Sequence, residues 1–207
     1  MKLIQDFISR NKCTYTKVAD VPKEVIEKYP KIFQGESIFP DDILWIWQNM
    51  GFGIYENGYL QIVNPDEWEF VFSYIDKILE PSIVIGITAL GDLLIWEGND
   101  NWTIAPDEGN RLAFFSVRDF FKQILAQSAD FLEFNINSEY YMSKNCKYKP
   151  YLEIKDTLPK LEYGQCYGYV PALAMGGKKS NKNLKIVDAK TYVDMIGQAV
   201  GKIYDLS

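Results

Sequence analysis

Gly53-Ile54-Tyr55-Glu56-Asn57-Gly58-Tyr59-Leu60-Gln61-Ile62-Val63 is the stretch on which the fold turns. It places Asn-Gly between two β-prone runs, and that dipeptide accepts the positive φ angles of a type I′ turn, so a β-hairpin is expected. Directly after it, Asn64-Pro65-Asp66-Glu67 reads as a helix start. Asn64 serves as N-cap, Pro65 occupies a first position where a missing N–H costs little, and Glu67 is placed to return the cap. This helix is expected to pass Phe70, Val71, Tyr74 and Ile78 and to end near Leu79.

Upstream, apolar residues recur at helical spacing in three sets: Leu3, Ile4, Phe7 and Ile8; Val21, Val25, Ile26 and Tyr29; Ile43, Leu44, Trp47 and Met50. Pro22 and Pro40 suit first turns, while Pro30 and Gly51 are read as breaks. Downstream lie four β-prone runs, Ile83 to Ala89, Leu93 to Glu97, Trp102 to Ala105 and Leu112 to Phe115, separated by short Gly-, Asn- and Asp-containing turns. They predict an antiparallel meander. Ser116-Val117-Arg118-Asp119 then offers a capping box for a helix carrying Phe120, Phe121, Ile124 and Leu125. Beyond residue 128 the chain reads as helical or irregular to about Leu161, with Lys144 to Pro150 as a surface break. A short strand from Cys166 to Val170, a glycine- and lysine-rich loop from Gly176 to Asn183 and a final helix from about Asp188 to Tyr204 complete it. The fold class is α+β, a mostly antiparallel sheet (N-terminal hairpin plus central meander) packed with several helices.

The 207 residues suffice for one sizeable core or two small domains sharing an interface. Net charge is −6 and no basic arm interrupts the chain, so direct nucleic-acid binding is disfavoured and a basic protein partner suits the balance. Three widely spaced cysteines, Cys13, Cys146 and Cys166, form no CxxC pair and fit a reducing cytosol. Neither a signal peptide nor an apolar run of membrane-spanning length is read, so a cytoplasmic location with no membrane partner is expected. Histidine is absent altogether. That removes the Ser-His-Asp triad, the Cys-His dyad and every His-ligated zinc site, and leaves catalysis to carboxylates, Lys, Tyr or Cys.

Gly176-Gly177-Lys178-Lys179-Ser180 fails as a phosphate loop, because Ala172 and Lys179 stand where a glycine and a Ser or Thr are needed; it is read as a solvated loop. Gly51-Phe52-Gly53 lacks the third glycine and preceding strand of a dinucleotide fingerprint and is read as a helix stop. No cofactor or metal site is indicated. The adjacent carboxylates Asp41-Asp42, Asp66-Glu67 and Asp107-Glu108 could serve a hydrolase, although first-turn or turn duty explains most of them. Cys166 is read as a buried structural thiol. Trp45, Trp47 and Trp68, which bracket the hairpin, are either a core cluster or an aromatic anchor for a partner.

Trp47 to Met50, Gly51-Phe52-Gly53, Glu56-Asn57-Gly58 and Val63-Asn64-Pro65-Asp66-Glu67-Trp68, taken in order, resemble the GAD-like domain. Thr88 to Trp96 and, more specifically, Cys166-Tyr167-Gly168-Tyr169-Val170-Pro171-Ala172-Leu173-Ala174-Met175-Gly176-Gly177 resemble its companion domain at the C-terminus of type VI secretion immunity proteins. The resemblance implies a GAD-like part over 1–80 and an immunity-like part over 81–207, sharing a continuous core or a close interface. It also implies a non-enzymatic antitoxin that binds and neutralises a cognate secreted effector such as a nuclease, with no catalytic residues to carry over. Asp41, Asp42, Glu56, Glu97, Asp100, Asp107 and Glu108 are the candidate partner-binding carboxylates, expected beside exposed aromatics against a basic groove of the toxin. A carboxylate-based hydrolase and a general interaction module without a toxin partner remain the alternative readings.

Overall fold

The computed structural model describes residues 2–35, 37–75, 80–98, 111–116, 122–126 and 149–202. Seven strands, β1 (Thr16–Ala19), β2 (Phe52–Tyr55), β3 (Leu60–Ile62), β4 (Ser82–Thr88), β5 (Leu93–Glu97), β6 (Arg111–Ser116) and β7 (Lys122–Ala126), form one antiparallel sheet in chain order. A separate antiparallel ribbon pairs β8 (Gln165–Tyr169) with β9 (Leu184–Asp188). Five helices accompany them among the described residues: α1 (Lys2–Asn11), α2 (Lys23–Ile32), α3 (Asp41–Asn49), α4 (Lys149–Ile154) and α5 (Ala189–Val200). The architecture is the α+β, mostly antiparallel one that the sequence predicts.

The hairpin forms where expected. Tyr55 pairs with Leu60, Asn57 sits at φ 57 and Gly58 at φ 92, and Tyr59 N–H closes the turn on Glu56 O at 3.1 Å. Those are the positive φ angles that Asn and Gly accept at least cost. Gly51 ends α3 at φ 84, and a side chain there would strike the Ala19 carbonyl of β1. Asp188 caps α5 by accepting the Thr191 N–H at 2.8 Å.

Five expectations change. Asn64 does cap a turn, accepting the Asp66 N–H at 3.2 Å, but the chain makes two short 3-10 turns, Pro65–Glu67 and Glu69–Ser73, in place of one long helix. Glu67, expected to return the cap, instead pairs with Lys190 of α5. Ile124 and Leu125 lie on a strand, since β7 finds a ladder partner in β6, with Ile124 opposite Phe114; so short an apolar run is ambiguous by period alone. Pro30 lies inside α2 near its C-terminus, where the lost N–H forfeits a single bond close to the helix end. β1 and β9 are strands that the pattern did not announce. The last helix, expected to run to about Tyr204, ends at Val200, where Gly201 leaves helical geometry at φ 74. The run Trp102 to Ala105, the capping box beyond Ser116, Ile78, Leu79, Phe120, Phe121 and the whole stretch between residues 128 and 148 lie outside the described residues.

At β4 and β5 the sheet is covered on both faces, and its period of two sorts the side chains between two cores. On β5, Leu94 and Trp96 join one apolar cluster while Leu93 and Ile95 join the other. On β4, Ile83 and Ile85 face the first, Val84 and Ile87 the second, across a bulge between Val84 and Gly86. The first cluster takes Phe7 from α1, Tyr29 from α2, Trp47 from α3 and Ile154 from α4; the second takes Val71 and the α5 residues Val193 and Ile196. Burial on both faces is why β4 and β5 are almost uninterruptedly apolar. Each large side chain so enclosed contributes about 1.5–3 kcal/mol. The ribbon straddles the two, giving Tyr167, Tyr169 and Leu184 to the first cluster and Cys166 to the second.

Candidate partner-binding surface

Of the seven candidate carboxylates, four fall within the described residues, and their environments differ. Asp41 is exposed in the first turn of α3, and Asp42 beside it is buried, accepting the Ile43 N–H at 2.8 Å. Glu56 is half-buried at the hairpin tip, where its N–H donates to Asn11 Oδ1 at 2.8 Å and its carboxylate accepts from Asn11 Nδ2 at 3.2 Å. Glu97 is fully enclosed at the end of β5. The Trp96 indole N–H donates to Ile38 O at 3.0 Å and so brings that end of β5 beside the segment leading into α3. Asp100, Asp107 and Glu108 lie outside the described residues.

The pair Asp66-Glu67 does not act as a pair. Asp66 accepts from Lys28 Nζ at 2.5 Å and from the Tyr29 hydroxyl at 2.7 Å, and these bonds hold its carboxyl below the ordinary range. Glu67 turns to Lys190 instead. A general acid needs the opposite, a carboxyl raised by burial. Trp47 and Trp68 are buried, one in each cluster, and Trp45 packs partly buried on the first. Cys166 is fully buried, as the reading of a structural thiol requires.

A polar cleft of about 490 Å³ opens where the α1–β1 turn, the hairpin tip and α4 meet, lined among others by Thr14, Asn57, Tyr151, Lys155 and Lys160. The Tyr151 hydroxyl crosses it to donate to Asn57 O at 2.7 Å, and burial pushes that phenol up to about 12. Among the described residues no group of His, Cys, Asp and Glu is arranged to hold a metal ion, and no helix is long and apolar enough to cross a membrane.

The other distinctive surface is the connection between β8 and β9. It folds back on itself as a lasso: Val170 N–H donates to Asn183 O at 2.8 Å, Gly177 N–H to Ala172 O at 2.9 Å, and the Asn183 side chain to Lys178 O at 2.9 Å. Only glycine fits at position 177, because a Cβ there would collide with the Pro171 carbonyl. Asn181 Nδ2 ties the lasso to Glu153 of α4 at 2.9 Å. Val170 and Met175 nevertheless stand out from it, 49% and 59% exposed.

The family model of the GAD-like domain matches residues 2–106. The chain belongs to the GAD-like family. A second family model, the C-terminal domain of the type VI secretion immunity protein Tdi1, matches residues 125–200 of this GAD-like protein. The crystal structure of Atu4351 from Agrobacterium tumefaciens is similar to it with a TM-score of 0.68, at 18% identity, over 94% of this chain and 88% of that one. At that identity the likeness speaks for the fold. No curated protein matches the chain.

In this GAD-like protein the landmarks that carry the resemblance are structural devices. Gly51 stops α3, Asn57-Gly58 turns the hairpin, Asn64-Pro65 caps a 3-10 turn, and Cys166 to Gly177 form β8 and the closed start of the lasso. Sequence reasoning passed over the lasso's lysines once the phosphate-loop reading had failed. Their signal lay in plain view: Lys178, Lys179, Lys182 and Lys185 fall within one stretch that has no acid from Val170 to Lys185.

Proposed function

We propose that this GAD-like protein is an immunity protein that works by capture: it binds a cognate type VI effector, a nuclease, and occludes its working surface without chemistry of its own. The observation that carries this reading is the match to the immunity-protein model over residues 125–200, which takes in the β8–β9 ribbon, the lasso and α5. The histidine-free sequence supports it, since an inhibitor that acts by occupancy needs complementary shape and charge rather than a general base. Cytoplasmic action belongs to the same proposal. Among the described carboxylate candidates, the exposed Asp41 and the half-buried Glu56 have the solvent access that contact with a basic groove requires; Asp42 and Glu97 are enclosed.

Co-expression tests this. Cells that produce the protein encoded beside this chain are expected to stop growing, and to recover when this chain is supplied in the same cytoplasm. Continued arrest at matched expression would reject the reading.

A further inference from the structure

Although the net charge of the chain is −6, the stretch from Val170 to Lys185 holds four lysines and no acid. Lys178, Lys179, Lys182 and Lys185 are all exposed, and among the described residues Lys178, Lys182 and Lys185 meet no carboxylate. Two apolar side chains rise among them: Met175, 59% exposed, and Val170, 49% exposed. Exposed Met and Val contribute nothing to the core here, and methionine is enriched where proteins meet.

The segment that holds these side chains is nonetheless firmly built. The Val170–Asn183, Gly177–Ala172 and Asn183–Lys178 bonds close it on itself, Asn181 fastens it to α4, and Leu184 and Ala172 anchor it in the two cores. A loop whose task was merely to join two strands of a ribbon would not need such closure. Preorganisation lowers the ordering cost of binding, and concentrated charge of one sign speeds encounter with a partner of the other.

We infer that the lasso from Val170 to Lys185 is a docking surface for an acidic patch on the captured effector, with the lysines steering approach and Met175 seated in the contact. This rests on the capture reading above and adds to it the surface and the charge of what that surface meets. The partner is a protein rather than a nucleic acid: the patch offers no exposed aromatic ring on which bases could stack, and its centre is apolar.

The test measures binding of the purified wild-type chain and three variants to the protein encoded beside it, at low and high salt, with a DNA duplex as a second probe. Lys178→Glu/Lys182→Glu is expected to weaken protein binding on the order of 10- to 100-fold, mainly in association rate, and to flatten its salt dependence. Met175→Ser is expected to speed dissociation. Lys12→Glu/Lys31→Glu, which changes net charge equally at exposed sites elsewhere, is expected to leave affinity within about 3-fold. Lasso variants that bind like wild type would overturn the inference while leaving capture intact. Lysine-dependent affinity for the duplex matching that for the protein would overturn the choice of partner. Absence of wild-type binding to the protein would reject the capture reading, and the inference with it.

Discussion

Gln61 on β3 is hydrogen-bonded at both ends of its amide to the approach of β8: Nε2 donates to Gln165 O at 2.7 Å, and Oε1 accepts the Gly164 N–H at 2.8 Å. The side chain is fully buried. It lies in the part matched by the GAD-like model, and its partners lie in the part matched by the immunity-protein model. A polar group so enclosed must be satisfied, and this one is satisfied entirely by backbone about a hundred residues away. Gln61→Leu leaves the Gly164 N–H and the Gln165 carbonyl without this partner. It is expected to cost about 2–3 kcal/mol, read as a lower urea midpoint with unchanged slope.

The Tyr151–Asn57 bond joins α4 to the hairpin tip in the same way. Tyr151→Phe keeps the ring and loses the bond, so a loss of about 1 kcal/mol is expected. The phenols of Tyr29, Tyr55, Tyr151 and Tyr163 are all raised by folding, chiefly through desolvation. Their contribution is complete below the unfolded value of 10.0 and is lost as pH rises through the higher folded values. Tyrosinate absorbance should therefore appear together with loss of near-UV circular dichroism; a smooth titration of these phenols in the folded protein would contradict it.

At the acid end the signs reverse. Asp66 is lowered by Lys28 and Tyr29, and Asp188 by the Thr191 N–H it caps. Both contribute fully above the unfolded value of 3.8, and the contribution fades as pH falls through the lower folded values. Asp188→Ala should destabilise by about 1 kcal/mol at neutral pH, the usual worth of an N-cap. The difference from wild type should shrink in acid, once the Asp188 carboxyl is protonated.

Thiol chemistry gives an independent check on burial. Cys13 is exposed and Cys166 is fully buried, packed against Gly91. In a Cys146→Ser background, Cys13 should react with a thiol reagent within the mixing time and Cys166 only after denaturant is added. Rapid reaction at both would contradict the packing of β8 between the two cores.

What could be read from the sequence was chiefly local. Asn57-Gly58, Asn64-Pro65 and Asp188 each fix their own backbone by side-chain chemistry, and each stands where expected. What escaped depended on distant partners. β1 is four exposed residues that become a strand by pairing with β2, and β7 is a strand because β6 lies beside it. The candidate carboxylates are expected beside exposed aromatics, yet solvent access is set by what packs above them. Glu97 follows Trp96 out of a buried strand and is enclosed, whereas Asp41 opens a surface helix. The lysine lasso was legible as composition, and its closure by Asn183 and Gly177 was not.

Capture and catalysis differ most directly in stoichiometry. A fixed amount of the protein encoded beside this chain, assayed for nuclease activity, should lose activity linearly as this chain is added and reach its floor at a fixed molar equivalence. Complete loss of activity at a small fraction of equivalence, deepening with time, would mean that the chain modifies its target by turnover and would contradict the account.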